Sequence, residues 1–241
     1  MENAHIVKSF DQDLGQIENM ILEMGGMVEN QIMLSVRALI TRDEELATSV
    51  RQADKAIDTL ESQIDEQALK ILALRQPMAS DLRAVVCAMK VASNLERVGD
   101  YAKNIAKRTV ALKDTGSVGS SEKTLKRMGD MVQQMVNDAL NAFVGKDVAM
   151  AEELIIRDEE VDHMHNTLFR ELLTYMMEDP RYITTCMHLL FIAKNIERMG
   201  DHTTAVAEQI HYVVTGQVPE DDRPKSDITS QMIVDADTNG S

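Results

Sequence analysis

Tryptophan is absent, and only four tyrosines and four phenylalanines occur in 241 residues. So few aromatics, with β-branched residues concentrated nowhere, leave little from which to build a sandwich or barrel. No Asn-Gly or Asp-Gly turn separates alternating runs, which removes the strongest hairpin signal. Proline is scarce as well, at four residues, so long helices can run uninterrupted. Net positive charge is missing: 25 basic against 40 acidic residues give −15. That balance argues against a phosphate-backbone footprint on nucleic acid and against a polybasic contact with anionic lipid. No stretch approaches the roughly 18 apolar residues of a membrane helix. The N-terminal segment MENAHIVKSFDQDL lacks the apolar core of a secretory signal. A cytoplasmic location is expected. The two cysteines, Cys87 and Cys186, stand alone in apolar helical patterns and read as reduced core residues.

Periodicity supplies the positive evidence. Leu14, Ile17, Ile21, Met24 and Val28 recur at three-and-four spacing, as do Leu46, Val50, Ala53, Ile57, Leu60 and Ile64. The second of these helices is predicted to stop near Arg75-Gln76-Pro77, because proline disfavours helix in the residue before it. A third helix is predicted over about 79–112, ending in a Gly/Ser-rich linker at 113–121. Three more follow at roughly 122–144, 147–178 and 181–215. The expected fold is all-α: two tandem, pseudo-symmetric three-helix bundles, elongated, with short connections that favour antiparallel neighbours. The expected units are 1–115, 116–216 and an acidic mobile tail at 217–241 that carries Pro219 and Pro224.

The two halves repeat one another. Met24-Gly25-Gly26-Met27-Val28 matches Met128-Gly129-Asp130-Met131-Val132 at an offset of 104, and Asp43, Asp54 and Asp58 match Asp147, Asp158 and Asp162 at the same offset. Pro77 matches Pro180 at 103, and Asn94–Asp100 matches Asn195–Asp201 at 101. Drifting offsets mark a duplicated unit with one altered loop.

Shared core positions are expected of any duplication; shared charged positions need another reason. Glu96 and Asp100 project from one helix face, as do Glu197 and Asp201, although like charges at this spacing repel. Val85, Met89 and Ala92 step along one face toward Glu96, and Cys186, Leu190 and Ala193 toward Glu197, so a carboxylate follows where a core side chain belongs. Gly99 and Gly200 sit in mid-helix, which costs about 1 kcal/mol relative to alanine and points to close approach of a neighbour or ligand. Asp54 with Asp58 and Asp158 with Asp162 offer a facing pair in each half; Glu61 and Asp65 are set aside because His165 and Phe169 replace them. Eight carboxylates of this kind suit a hard divalent or trivalent ion, Fe, Zn, Mn or Mg. Solvated faces, with interhelical ion pairs to Arg97 and Arg198, are the alternative.

Other candidates are weaker. Glu160-x-x-His163 has di-iron spacing but lacks a copy, its counterparts being Ala56 and Thr59. His202 follows Asp201 but is replaced by Tyr101 in the other half and reads as a polar neighbour; His163 and His165 read as surface residues. The 17 methionines lie mostly on the apolar stripes and read as core. No Walker loop, Gly-x-Ser-x-Gly elbow or dinucleotide fingerprint occurs, and nothing argues for nucleophilic catalysis.

The doubled Glu-Arg-x-Gly-Asp motif, the Arg75-Gln76-Pro77-Met78-Ala79-Ser80-Asp81-Leu82-Arg83 turn, the Met-Gly-Gly-Met-Val segment and Tyr175-Met176-Met177-Glu178-Asp179 together resemble the PhoU family, accessory regulators of phosphate-specific transport systems. The resemblance runs through about residue 216. It implies paired three-helix bundles holding metal on Asp54, Asp58, Glu96, Asp100, Asp158, Asp162, Glu197 and Asp201. It implies a non-enzymatic negative regulator of the phosphate-starvation response that limits phosphate uptake. Its partners would be the ATPase subunit of the phosphate transporter, a membrane sensor histidine kinase and a second copy in a homodimer, with membrane contact only through partners. The Arg75–Arg83 turn has only Glu178-Asp179-Pro180 opposite it, so the two ends should not share a partner; it is either a capped turn or a partner contact. A metal-dependent helical enzyme and a metal-free scaffold remain the other readings of the carboxylates.

Overall fold

Each half of the chain begins with the same local solution. A long helix ends, one residue turns left-handed, and an aspartate caps the next helix. In a computed structural model describing residues 2–217, α1 (Glu2–Thr41) gives way to α2 (Glu44–Arg75) through Arg42 at φ 55°. Further on, α4 (Ser121–Gly145) gives way to α5 (Val148–Glu178) through Lys146 at φ 50°. Asp43 accepts from Leu46 N at 2.9 Å, and Asp147 accepts from Met150 N at 3.1 Å. These are ordinary N-caps that satisfy an orphan helix donor. The repeated Asp43/Asp147 pair is thereby explained structurally.

The second connections differ. Gln76 takes φ 48° before Pro77, and α3 (Ser80–Ala111) starts after Ala79 at φ 50° without a side-chain cap. In the other half Asp179 caps a single 3₁₀ turn, Pro180–Tyr182, which leads into α6 (Ile183–Thr215). The turn at 75–83 thus combines a left-handed C-cap at Gln76 with an α3 start that has no side-chain cap, and it leaves Leu74 and Met78 more than three-quarters exposed. Among the described residues there is no strand, and the helix bounds follow the predicted ones closely. The tail expected at 217–241 lies, but for Gln217, outside the described residues.

Helices α1–α3 pack mutually, as do α4–α6, giving the two expected three-helix bundles. At 32 residues, α2 and α3 are each roughly 48 Å long. The bundles are not independent layers: α3 lies against α6, α1 lies against α4, and one apolar core runs through both halves. Both pairings are antiparallel. An added Cβ at Gly25 would overlap Leu140, and one at Gly129 would overlap Val36. Position 25 corresponds to 129, and 36 to 140, so these two contacts are one contact seen twice across the pseudo-twofold axis. The repeated Met-Gly motif thus lets α1 and α4 approach. Tyr101 and His202, also equivalent, face each other across the α3–α6 seam with ring centroids 5.6 Å apart.

The Gly/Ser-rich connection is docked. Leu112 and Val118 are buried, Ser120 donates through N and Oγ to Glu171, and Arg42 meets Glu122 at 2.6 Å. Cys87 and Cys186 are buried and unbridged, as read from sequence, and burial raises both thiol pKa values.

Candidate functional site

The apolar stripe of α2 was traced through Ala53, which is exposed; the inward residue between Val50 and Ile57 is Asp54, 2 % exposed. Both positions satisfy three-and-four spacing, so periodicity could not separate them. Gln31 on α1 donates to Asp54 Oδ1 at 3.1 Å, with its own Oε1 beside Gly99. The Lys103 ammonium hydrogen-bonds Asp54 and, at 2.6 Å, Asp100 Oδ1. Burial would lower the pKa of that ammonium, but the hydrogen bonds and charges of Asp100 and Asp54 together raise it above the ordinary lysine value.

The rest of the first site is wetter. Asp58 is exposed, and Glu96 and Asp100 are half-buried. Partial burial, and then the Asp54 charge, push the Asp58 carboxyl up, Lys103 opposing. Glu96 is likewise raised, by burial first and then by Asp100, with Glu61 and Asp58 adding to it. Glu61 therefore belongs to this acidic group, although comparing the halves discarded it. Arg97 reaches Glu96 and Asp100 at 3.5 and 3.6 Å along its own helix, and across to α2 its charge favours the Glu61 carboxylate. Arg198 sits over Tyr101 at 5.9 Å.

The second site is drier. Asp158, Asp162 and Glu197 are all buried, with Asp201 half-buried. The Asp158 carboxylate lies over Gly200, where an added Cβ would overlap Oδ1. This close approach explains why glycine occupies mid-helix there. Glu197 Oε1 accepts from Lys194 at 2.8 Å, while its buried Oε2 accepts no hydrogen bond among the described residues. Burial pushes the Glu197 carboxyl up; Lys194 opposes this, and Asp201 and Asp162 reinforce it. Thr204 stands where Lys103 stands in the first half and donates to the Asp201 carbonyl. His165, read as a surface residue, is 2 % exposed, one turn beyond Asp162. It occupies the position of Glu61, so both halves place a polar group there.

All eight predicted carboxylates thus gather at two places, α2 against α3 and α5 against α6. Among the described residues, no three of their side chains, with or without imidazoles, converge into a ready ligand set. The chemistry of the two groups differs. Lys103 bridges Asp54 and Asp100 in the first, and Lys194 pairs with Glu197 in the second. Only the second buries a carboxylate oxygen, of Glu197, without a hydrogen bond among the described residues, the kind of donor a hard cation satisfies.

Comparisons with known proteins follow this architecture. The family model for the PhoU domain matches twice, at residues 21–109 and 125–210. The phosphate-specific transport system accessory protein PhoU homolog of Caulobacter vibrioides is 46 % identical over 227 residues, covering 94 % of this chain and 99 % of that protein. The protein of the same description from Rhizobium meliloti is 45 % identical over 232 residues, covering 96 % and 98 %. The crystal structure of PhoU from Pseudomonas aeruginosa superposes with TM-score 0.84 at 40 % identity, covering 86 % of this chain and all of that one. The phosphate transport system regulatory protein PhoU from Streptococcus pneumoniae gives 0.81 at 31 % identity, covering 87 % and 98 %.

Proposed function

This chain belongs to the PhoU family, and on that footing we propose that it is an accessory protein of phosphate transport that restrains the phosphate-starvation response. The observation that carries the reading is near-full-length identity of 45–46 % to proteins described as phosphate-specific transport system accessory proteins. In this reading it is a cytoplasmic, non-enzymatic adaptor and a homodimer. It limits uptake through the transporter's ATPase subunit and holds the sensor histidine kinase in check. In this reading membrane contact runs through those partners; no described helix is long and apolar enough to cross a membrane. The exposed apolar turn bearing Leu74, Met78 and Leu82 supports a partner contact at that end of the molecule.

Divalent metal is part of the proposal. Glu197, Asp201, Asp158 and Asp162 would hold one ion, and Asp54, Asp58, Glu96 and Asp100 another. A bound cation supplies positive charge that offsets mutual repulsion and desolvation of the carboxylates. The buried, unbonded Glu197 Oε2 supports the second site most directly. In the first, Asp54 and Asp100 are shared with the Lys103 ammonium, so affinity there is lower.

Deleting the gene should switch on phosphate-starvation genes in phosphate-rich medium; continued silence would refute the regulatory reading. Co-purification at high and low phosphate should recover the transporter ATPase and the kinase. Elemental analysis after dialysis tests the metal separately: no retained Fe, Zn, Mn or Mg, with function intact when Glu96 and Glu197 become Gln, would leave a metal-free scaffold.

A further inference from the structure

An acidic chain that gathers cations in one place without matching carboxylates needs a reason. Between α3 and α6 lies a cleft of about 540 Å³ walled by Lys107, Arg108, Lys194 and Arg198, four of the chain's 25 basic residues. No aspartate or glutamate lines it, while Asn104 and Asn195 add amide donors. Among the described residues, no salt bridge neutralises Lys107, Arg108 or Arg198. The Arg108 guanidinium is held by other means: it stacks on the Phe191 ring at 4.0 Å and lies 3.5 Å from His188 Nδ1. Stacking fixes the planar fork without using up its charge. Partial burial, together with the adjacent Arg108 charge, holds the His188 imidazole below its usual pKa. These groups repel one another as they stand.

Duplication does not account for the cleft. The counterparts of Lys107, Arg108 and Lys194 in the other half are Glu208, Gln209 and Ser93. The equivalent positions of the repeat therefore lack three of these four cations, so the basic cleft is not a by-product of the repeated fold.

We infer that the cleft binds a multiply charged, phosphate-bearing anion larger than orthophosphate. The volume lies within the range of small-molecule sites, roughly 300–1,000 Å³. Planar guanidinium forks match phosphate oxygens, and Lys107 adds a point charge, with Lys194 shared between the cleft and Glu197. An apolar groove of about 310 Å³, lined by Phe169, Met187 and Leu190, adjoins the cleft and shares Phe191 and Lys194 with it. A ligand with an apolar body beside its phosphates, such as a nucleotide, would use both. A bare phosphate chain would use the cleft alone. Extended nucleic acid is disfavoured by the net charge of −15 on the chain. The inference stands apart from the regulatory reading and from metal binding.

The test is calorimetric titration of the full chain in EDTA with tripolyphosphate, ATP and orthophosphate, beside imidazole NMR of His188. Tripolyphosphate or ATP should bind saturably at one per chain, orthophosphate at least about tenfold more weakly, and the His188 signals should move. The double variant Lys107→Gln/Arg198→Gln changes two exposed side chains and should keep the wild-type melting temperature. It should bind at least about tenfold more weakly. Lys123→Gln/Lys126→Gln, on α4, removes the same charge elsewhere and should bind as wild type. Lys194 is left untouched because it also holds Glu197. Tighter binding of ATP than of tripolyphosphate assigns the apolar groove to the base; equal affinities assign all binding to the phosphates. The inference falls if neither anion saturates, if orthophosphate binds as tightly, or if the α4 variant loses as much affinity as the cleft variant.

Discussion

Replacing Glu197 by glutamine should stabilise the metal-free protein at neutral pH. The side chain is 4 % exposed, one oxygen is bonded to Lys194, and the other accepts nothing among the described residues. A buried acceptor left without a donor costs about 1–3 kcal/mol. Glutamine keeps the shape, keeps an oxygen for Lys194, and turns an NH₂ toward the Asp201 and Asp162 charges that now repel the carboxylate. The gain expected is about 1–2 kcal/mol, or roughly 2–8 °C in melting temperature for a chain of this size. Its pH dependence has a definite sign. The folded-state pKa of Glu197 is raised above the ordinary glutamate value, so the folded state holds the proton more tightly than the unfolded one. Wild-type stability therefore falls as pH rises from the ordinary glutamate range through the raised pKa. The advantage of glutamine should vanish below that range and be complete above the raised pKa. Thermal unfolding in EDTA across that interval reads it directly. Mn²⁺ or Mg²⁺ in excess of the chelator should then narrow or reverse the difference, raising the wild type by mass action through both sites and the variant through the α2–α3 site alone. A variant less stable than wild type at pH 7.5 in EDTA, or equally stable at every pH, would refute the argument.

Lys103→Thr, which copies Thr204 of the second half, should destabilise the metal-free chain. Asp54 would lose its cation while almost fully buried, yet Lys103 is 36 % exposed, so the loss is discounted to about 1–3 kcal/mol by urea unfolding. The same variant should bind divalent cation more tightly at the α2–α3 site by calorimetry. Gly26→Ala meets open space and should gain about 0.5–1 kcal/mol. Gly200→Ala must displace the buried Asp158 carboxylate and should lose stability despite the same helix gain, overpacking costing about 1–3 kcal/mol. Asp43→Ala and Asp147→Ala should each cost about 1 kcal/mol, and their effects should add because the caps lie in separate halves.

Comparing the halves of the sequence identified what duplication had kept, and it kept several different things. Asp43 and Asp147 are kept as caps, Gly25 and Gly129 as the seam between α1 and α4, and Gly200 as the floor under Asp158. Helix ends were readable because Pro77 and the left-handed turns are local chemistry. The helices' partners were not, since the α3–α6 and α1–α4 contacts join residues about 80 to 130 apart, as in Arg108–His188, Arg83–Tyr212 and Glu29–Asn137. The same comparison was blind to anything the halves do not share. Lys103, which supplies a cation to Asp54 and Asp100, was invisible because its counterpart is Thr204. Lys194 bonds Glu197 and lines the basic cleft, and its counterpart is Ser93. Glu61 is set aside for differing and His165 reads as a surface residue, yet Glu61 acts on Glu96 and His165 is buried one turn beyond Asp162. A repeat comparison therefore recovers the fold and the common carboxylates. The features that make the halves chemically unequal, an ammonium bridging α2 and α3 in one and a basic cleft beside the carboxylates in the other, lie at positions where symmetry has been lost.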